Sequence, residues 1–411
     1  MEWKEVRLGD IVSIKSGLAY KGAFIGKGEN ILLGMGCVSF KDKFLFSGAR
    51  PYEADCDDKY CVEPGDIVLA TRQQSDNLPI LAMPAIIPSS LKAKKIIYGT
   101  NLYKVENHSE VTNDFLFWQL KMPDYIDYIS SVKTGSVVRM VTKKNVEDYV
   151  FRCPPKEVRD RISKLLWGLD RKIELNKKIN ADLEEMAQAI FKNWFVDFEP
   201  FNDGKFVDSE LGMIPEGWKV GRLDEIADVV GGSTPSKAKP EYYTQKGIAW
   251  LTPKDLSNHP AVYTSRGEID ITEEGYNSTS TKLMPKGTIL FTSRAPIGYI
   301  SIAQNDICTN QGFKSLVPKK AGTCFLYCFL KYVTPEIENK STGSTFKEAS
   351  GALMKSLQVI MPEQKVFEDF ETIVSPLFVR IESLENENSR LSLLRDTLLP
   401  RLMSGELEVP E

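Results

Sequence analysis

The chain has 411 residues, enough for two or three domains at roughly 100–200 residues each. Hydrophobic residues at 42% and charged residues at 26% fit a globular protein and exclude a disordered or fibrous one. Lys+Arg 52 against Asp+Glu 56 leaves a formal net charge of -4, which excludes a generally basic nucleic-acid coat and leaves local basic surfaces open.

In chain order, the opening Met1-Glu2-Trp3-Lys4-Glu5-Val6-Arg7 is charged and lacks the apolar run of a signal peptide. The longest apolar stretch, around Ile80 to Ile87, is interrupted by Pro84 and is too short to span a bilayer, so a cytoplasmic chain is expected. Pro64-Gly65 punctuates the strand signal Ile67-Val68-Leu69, and Asn113 to Leu120 reads as a helix. From about residue 156 a helical period takes over, until a linker at 199–214. The same succession then returns, with a strand at Thr288-Ile289-Leu290-Phe291, a helix at Thr323 to Tyr332 and a second long helical pattern.

That return is an internal duplication. Trp3-Lys4-Glu5-Val6-Arg7-Leu8 reappears as Trp218-Lys219-Val220-Gly221-Arg222-Leu223, and Gly17 as Gly232, both 215 positions on. Pro64-Gly65-Asp66-Ile67-Val68-Leu69-Ala70-Thr71-Arg72 corresponds to Pro285-Lys286-Gly287-Thr288-Ile289-Leu290-Phe291-Thr292-Ser293-Arg294. Thr100-Asn101 matches Thr309-Asn310, and Thr134-Gly135-Ser136 matches Thr342-Gly343-Ser344 at an offset of 208. The anchors keep their order while the loops between them change length. Two α+β domains on one duplicated scaffold are expected.

The long helical patterns keep the same register. Ile162, Leu166, Leu169, Ile173, Asn176, Asn180, Leu183, Ala187, Ile190 and Trp194 form a heptad seam. Val374, Leu377, Ile381, Leu384, Asn388, Leu391, Arg395, Leu398 and Leu402 repeat it 208 positions on, counted from Leu166. Domain-sized connectors let two such helices pair antiparallel. Asn180 and Asn388 hold equivalent seam positions, where a buried amide penalises wrong registers. Pro376 predicts a kink or a helix start. From Ile162 to Trp194 a helix spans roughly 50 Å, against roughly 34–36 Å per turn of B-DNA, so a rigid pair can act as a ruler along a duplex.

Catalytic signatures are missing. There is no GxxxxGK[ST] loop, no GxGxxG after a strand and no (N/D)PP(Y/F) tetrapeptide. Glu2-Trp3-Lys4 has a nuclease-like E-x-K form without an upstream acid, and His108 and His259 read as loop residues. Seven cysteines without a CxxC pair imply reduced structural thiols and no metal site. What remains is polar recognition chemistry. Arg72, Gln73 and Gln74 follow a strand in copy one, and Arg294 follows its equivalent in copy two; Arg pairs bidentately with guanine and Gln with adenine. Lys92, Lys94, Lys95, Arg139, Lys143, Lys144, Lys254 and Lys347 are candidates to neutralise phosphates, each also readable as a solvated charge. The turns at Ser136 and Ser344 can offer backbone N–H groups to a phosphate or be plain turns.

The layout resembles the specificity subunits of type I restriction-modification enzymes over essentially the whole chain. The resemblance rests on Ile214-Pro215-Glu216-Gly217-Trp218-Lys219, Trp250-Leu251-Thr252-Pro253-Lys254-Asp255-Leu256, Thr292-Ser293-Arg294-Ala295-Pro296-Ile297-Gly298 and Thr309-Asn310-Gln311-Gly312-Phe313-Lys314. The helix endings Ile190-Phe191-Lys192-Asn193-Trp194-Phe195 and Leu398-Leu399-Pro400-Arg401-Leu402 add to it.

The resemblance implies two α+β target-recognition domains in pseudo-twofold arrangement, at 1–155 and 215–362, separated by an antiparallel coiled coil of two long helices, 156–198 and 363–411. Each domain would read one half of a bipartite DNA target, and two methyltransferase subunits and restriction subunits would be the partners. S-adenosylmethionine, ATP and Mg are expected only in those partners, and no catalytic site or cofactor in this chain. Asn310 and Gln311 join the DNA-contact candidates, and Trp194, Phe195, Leu398, Leu399 and Leu402 are candidates for partner docking or for packing within the coiled coil. Copy one departs from the pattern: Ala70-Thr71-Arg72-Gln73-Gln74-Ser75 lacks the Arg-Ala-Pro-Ile-Gly of copy two. The alternative reading is a coiled-coil scaffold with two protein-binding domains and no DNA specificity.

Overall fold

The computed structural model describes residues 3–74, 79–341 and 347–409. It divides into two compact units, residues 1–172 with 390–411 and residues 173–389. Each long helix, Lys156–Phe195 and Gln364–Ser404, therefore contributes one half to each unit.

In the first unit a four-stranded antiparallel sheet runs Val12–Ser16, Leu102–Asn107, Ile67–Ala70, Pro84–Ile86. A second sheet holds Ala49–Tyr52, Ile25–Leu33, Ile96–Tyr98 and Cys61–Val62, with the middle pair parallel. Strand Lys4–Arg7 pairs with Val150–Cys153 directly before the first long helix. The second unit repeats this plan. Ala227–Gly231, Lys314–Pro318 and Ile289–Ser293 lie side by side, and Lys219–Arg222 pairs with Gln358–Met361 before the second long helix. What differs is the edge and the second layer: Tyr263–Thr264 adds a strand parallel to Ile297–Ala303, and the four-stranded second sheet gives way to the pairs Tyr243–Thr244 with Asp270–Ile271 and Trp250–Leu251 with Cys308–Thr309. The duplication thus survives in the buried strands, where side chains on both faces are fixed by packing, and fades in the connections.

The helices form where the heptad pattern places apolar residues, because only the seam removes enough surface from water to offset the ordering of so long a segment. Every seam position named above is buried or half-buried. In the first unit Ile162 and Leu166 share a core with Leu399, Leu402, Phe115 and Trp118. In the second unit Phe191 and Phe195 share one with Phe325, Phe367 and Phe370, and the helices run antiparallel there, with Asn176 against Asn388 and Phe195 against Phe370. The expectation of a helix start at Pro376 is corrected: the helix is one element from Gln364 to Ser404. Pro376 sits on the exposed face, so the Thr372 carbonyl that loses its partner N–H meets water, while Phe370, Val374, Phe378 and Ile381 pin the other face.

Glu385 ties the second helix to its sheet, accepting from Val262 N at 2.8 Å and Tyr263 N at 2.9 Å. Burial pushes its carboxyl up to about 6 from an ordinary 4.5, with Glu184 and Glu382 adding repulsion against the two backbone donors. Between those values the folded chain holds a proton that the unfolded chain has released, so this group favours folding more as pH falls from about 6 to 4.5. In melts across pH 4.5–7, Glu385→Gln is expected to flatten that part of the profile relative to the parent chain; identical slopes would contradict the assignment.

Candidate DNA interface

In copy two the strand Ile289–Ser293 is buried at every position and runs out at Arg294. Ser293 N donates to the Gly312 carbonyl at 2.8 Å, and Ala349 N donates to the Ser293 carbonyl at 2.9 Å. These bonds bring three distant segments to one strand end. Arg294 lies 3.6 Å from Glu348, and Lys314 reaches the other Glu348 oxygen at 3.3 Å. Asn310 braces its own loop by accepting from Gly312 N at 2.8 Å, and the Gln311 amide bonds the Thr234 hydroxyl. Gly312 is needed because a Cβ there would stand 2.7 Å from Pro253, which opens the short helix carrying exposed Lys254. Lys347 is exposed and donates to the Glu338 carbonyl at 3.3 Å. Ser344 lies outside the described residues.

Copy one builds the corresponding end from different side chains. Strand Ile67–Ala70 is buried throughout, Thr71 N donates to Asn101 O at 3.0 Å, and Val141 N donates to Thr71 O at 3.3 Å. Arg72 is exposed and pairs, through its backbone, with Met140 in a short ladder that also joins Gln73 to Arg139. Ser136, Lys143 and Lys144 are exposed near this end of the chain segment, the two lysines opening a helix capped by Thr142. At the offset of 208, Arg139 stands where copy two has Lys347, and Met140 where it has Glu348.

Several sequence expectations change. Gln73 is 5% exposed and accepts from Leu81 N at 3.2 Å, so it supports the loop instead of facing a base; Gln74 is exposed. Lys95 is held by Asp55 at 2.9 Å and Asp58 at 3.0 Å, which raise its pKa, so its charge is already answered locally. Lys92 and Lys94 are exposed but precede a strand of the second sheet, whereas Arg72 continues one of the first. Three of the five docking candidates are core residues, and Trp194 and Leu398 are half-buried against the same cores. Phe195, Leu399 and Leu402 are 4%, 7% and 1% exposed, Leu398 packs on the same cluster as Leu399, and the Trp194 ring lies 5.9 Å from Phe201 and 6.0 Å from Phe370. An aromatic group that close to its neighbours offers little surface to a partner. The register amide is also repaired: Asn388 accepts from Asn176 at 2.9 Å, and by the same register Asn180 stands opposite Leu384, its carbonyl oxygen buried without a protein partner. Glu348, Lys314 and Asp170 were not legible as functional or structural partners, because nothing in their sequence surroundings reports the residue they face.

Among the described residues no group of three His, Cys, Asp or Glu side chains could hold a metal ion, and no helix is long and apolar enough to cross a membrane. The seven cysteines are free, and burial pushes the Cys37 thiol up to about 12.

The family model described as "Type I restriction modification DNA specificity domain" matches residues 1–185 and again 215–391, one match per copy. The chain belongs to that family. The Type I restriction enzyme MjaIX specificity subunit of Methanocaldococcus jannaschii is 40% identical over 190 residues, 46% of this chain and 44% of that protein, so this match spans less than half of that relative. The HindI specificity subunit of Haemophilus influenzae is 25% identical over an alignment of 474 residues that covers 99% of this chain and 100% of that one. A solved Type-I restriction-modification system S subunit from M. genitalium shares the fold with a TM-score of 0.56 at 16% identity, covering 100% of this chain and 97% of that chain.

Proposed function

We propose that the chain is the non-catalytic sequence-reading subunit of a type I restriction-modification complex, with copy one reading one half of a bipartite DNA target and copy two the other. The observation that carries this reading is the repeated strand end: a buried strand terminating in Arg72 or Arg294, each with a later segment hydrogen-bonded beside it. A rigid strand end presents a long cation at a defined angle, which is what bidentate readout of a guanine edge requires. Unlike neighbours around the two arginines, Met140 and Tyr103 against Glu348 and Lys314, support different half-sites for the two copies.

The long helices would set the half-site spacing and carry the methyltransferase subunits, to which restriction subunits add. S-adenosylmethionine, ATP and Mg would be bound by those partners. With Phe195, Leu399 and Leu402 buried, the docking surface is assigned instead to the exposed apolar residues Leu393 and Leu394. A net charge of -4 fits a subunit with weak nonspecific affinity of its own.

Arg294→Ala is the direct test. With partner subunits supplied, the methylated motif read by sequencing of host DNA is expected to relax at one position of one half-site, a loss of about 1–3 kcal/mol of discrimination. Equal relaxation of both halves would contradict modular reading. A log affinity that stays flat with log salt would favour the protein-binding scaffold.

A further inference from the structure

We infer that Val137 and Val138 form an apolar reading tip that touches thymine methyl groups in the half-site of copy one. The inference deepens the proposed reading of that copy as a DNA reader and rests on it. Val137 is 82% exposed and Val138 37%, at the tip of a turn closed by paired backbone bonds between Thr134 and Met140, both 2.9 Å. The turn is stiff for two reasons. Gly135 adopts a φ of +90°, with a Cβ excluded 2.1 Å from the Val138 carbonyl, and the Arg139 guanidinium donates to the Gly135 carbonyl at 2.5 Å.

Turns ordinarily carry Gly, Asn, Asp or Ser at such places, and a β-branched pair facing water contributes nothing to folding there. Its surroundings identify what would cover it. The ladder that follows the turn runs beside Arg72, and Lys143 and Lys144 stand exposed three residues further along. Cations along the ladder behind an apolar tip match a phosphate-lined groove whose floor holds one kind of apolar group. In the major groove that group is the thymine C5-methyl, which distinguishes A·T from the other pairs without a hydrogen bond. In copy two the residues at the offset of 208, Thr345 and Phe346, lie outside the described residues, and the inference concerns copy one alone.

The test uses the full chain with its partner subunits. Val137→Ser and Val138→Ser change exposed atoms and are expected to melt with the parent chain. Each is expected to relax one A·T position in a single half-site, about four-fold for each thymine methyl left uncovered. Once the motif is known, deoxyuridine in place of that thymine should weaken the parent chain by the same factor and leave the serine variant unaffected. A variant with the parent motif, relaxation in the half-site read by Arg294, or a parent chain indifferent to deoxyuridine overturns the inference while the reading by two domains stands. A parent chain that directs no bipartite methylation overturns that reading itself.

Discussion

Asp170→Ala is expected to destabilise the first unit by roughly 3 kcal/mol, because it removes the buried carboxylate that two half-buried cations share. Asp170 has its side chain 5% exposed, bonds Arg395 at 2.6 Å and lies 3.6 Å from Lys43; the two cations are 14% and 18% exposed. Arg395 also rests over Trp118 at 6.0 Å, and Lys43 over Trp167 at 4.7 Å, so neither can swing to water without leaving an aromatic face. The companion variant Asp170→Leu with Arg395→Met removes both charges of the close pair and should regain much of the stability. Urea unfolding followed through Trp118 and Trp167 emission reports on this unit. A loss below about 1 kcal/mol, or a double variant worse than the single one, would show that the pair is not what holds the helices there.

Phe195→Ala is expected to cost about 3–5 kcal/mol in the second unit. The ring is 4% exposed and lies 4.9 Å from Phe325 and 5.1 Å from Phe370, so truncation opens a cavity that its aromatic neighbours are too rigid to fill. A docking role predicts the reverse pattern, with an unchanged melting temperature and weakened partner affinity. The expected outcome is a lower melting temperature with partner affinity retained below it. Leu393→Ser, at a residue 69% exposed, should leave the melting temperature within experimental scatter and weaken partner binding instead.

The duplication, the α+β character of both copies and the two long seams were legible from residue spacing. A heptad or a buried β-branched run carries its own signal, since burial on one face imposes a period along the chain. Arg294 was legible in the same way, as the residue that follows the duplicated strand. The roles of Gln73, Lys95 and Phe195 were hidden for one shared reason. Residue type tells what each side chain is able to bind, and in each case the nearest group in space has already claimed it: Leu81 N, the carboxylates of Asp55 and Asp58, and the rings of Phe325 and Phe370.

By itself the sequence determined that this chain is a duplicated α+β protein with paired long helices and one arginine at each repeated strand end. Periodicity and repetition are properties of the order of residues, and they need no partner to be read. Only the tertiary structure decided which residues remain available for recognition. It placed Asn176, not Asn180, against Asn388, matched Arg395 with Asp170, buried Phe195 and left Val137 and Val138 in water. Those outcomes depend on pairs more than a hundred residues apart or on turns closed across a ladder, where the free energy of a side chain is set by what it meets in space.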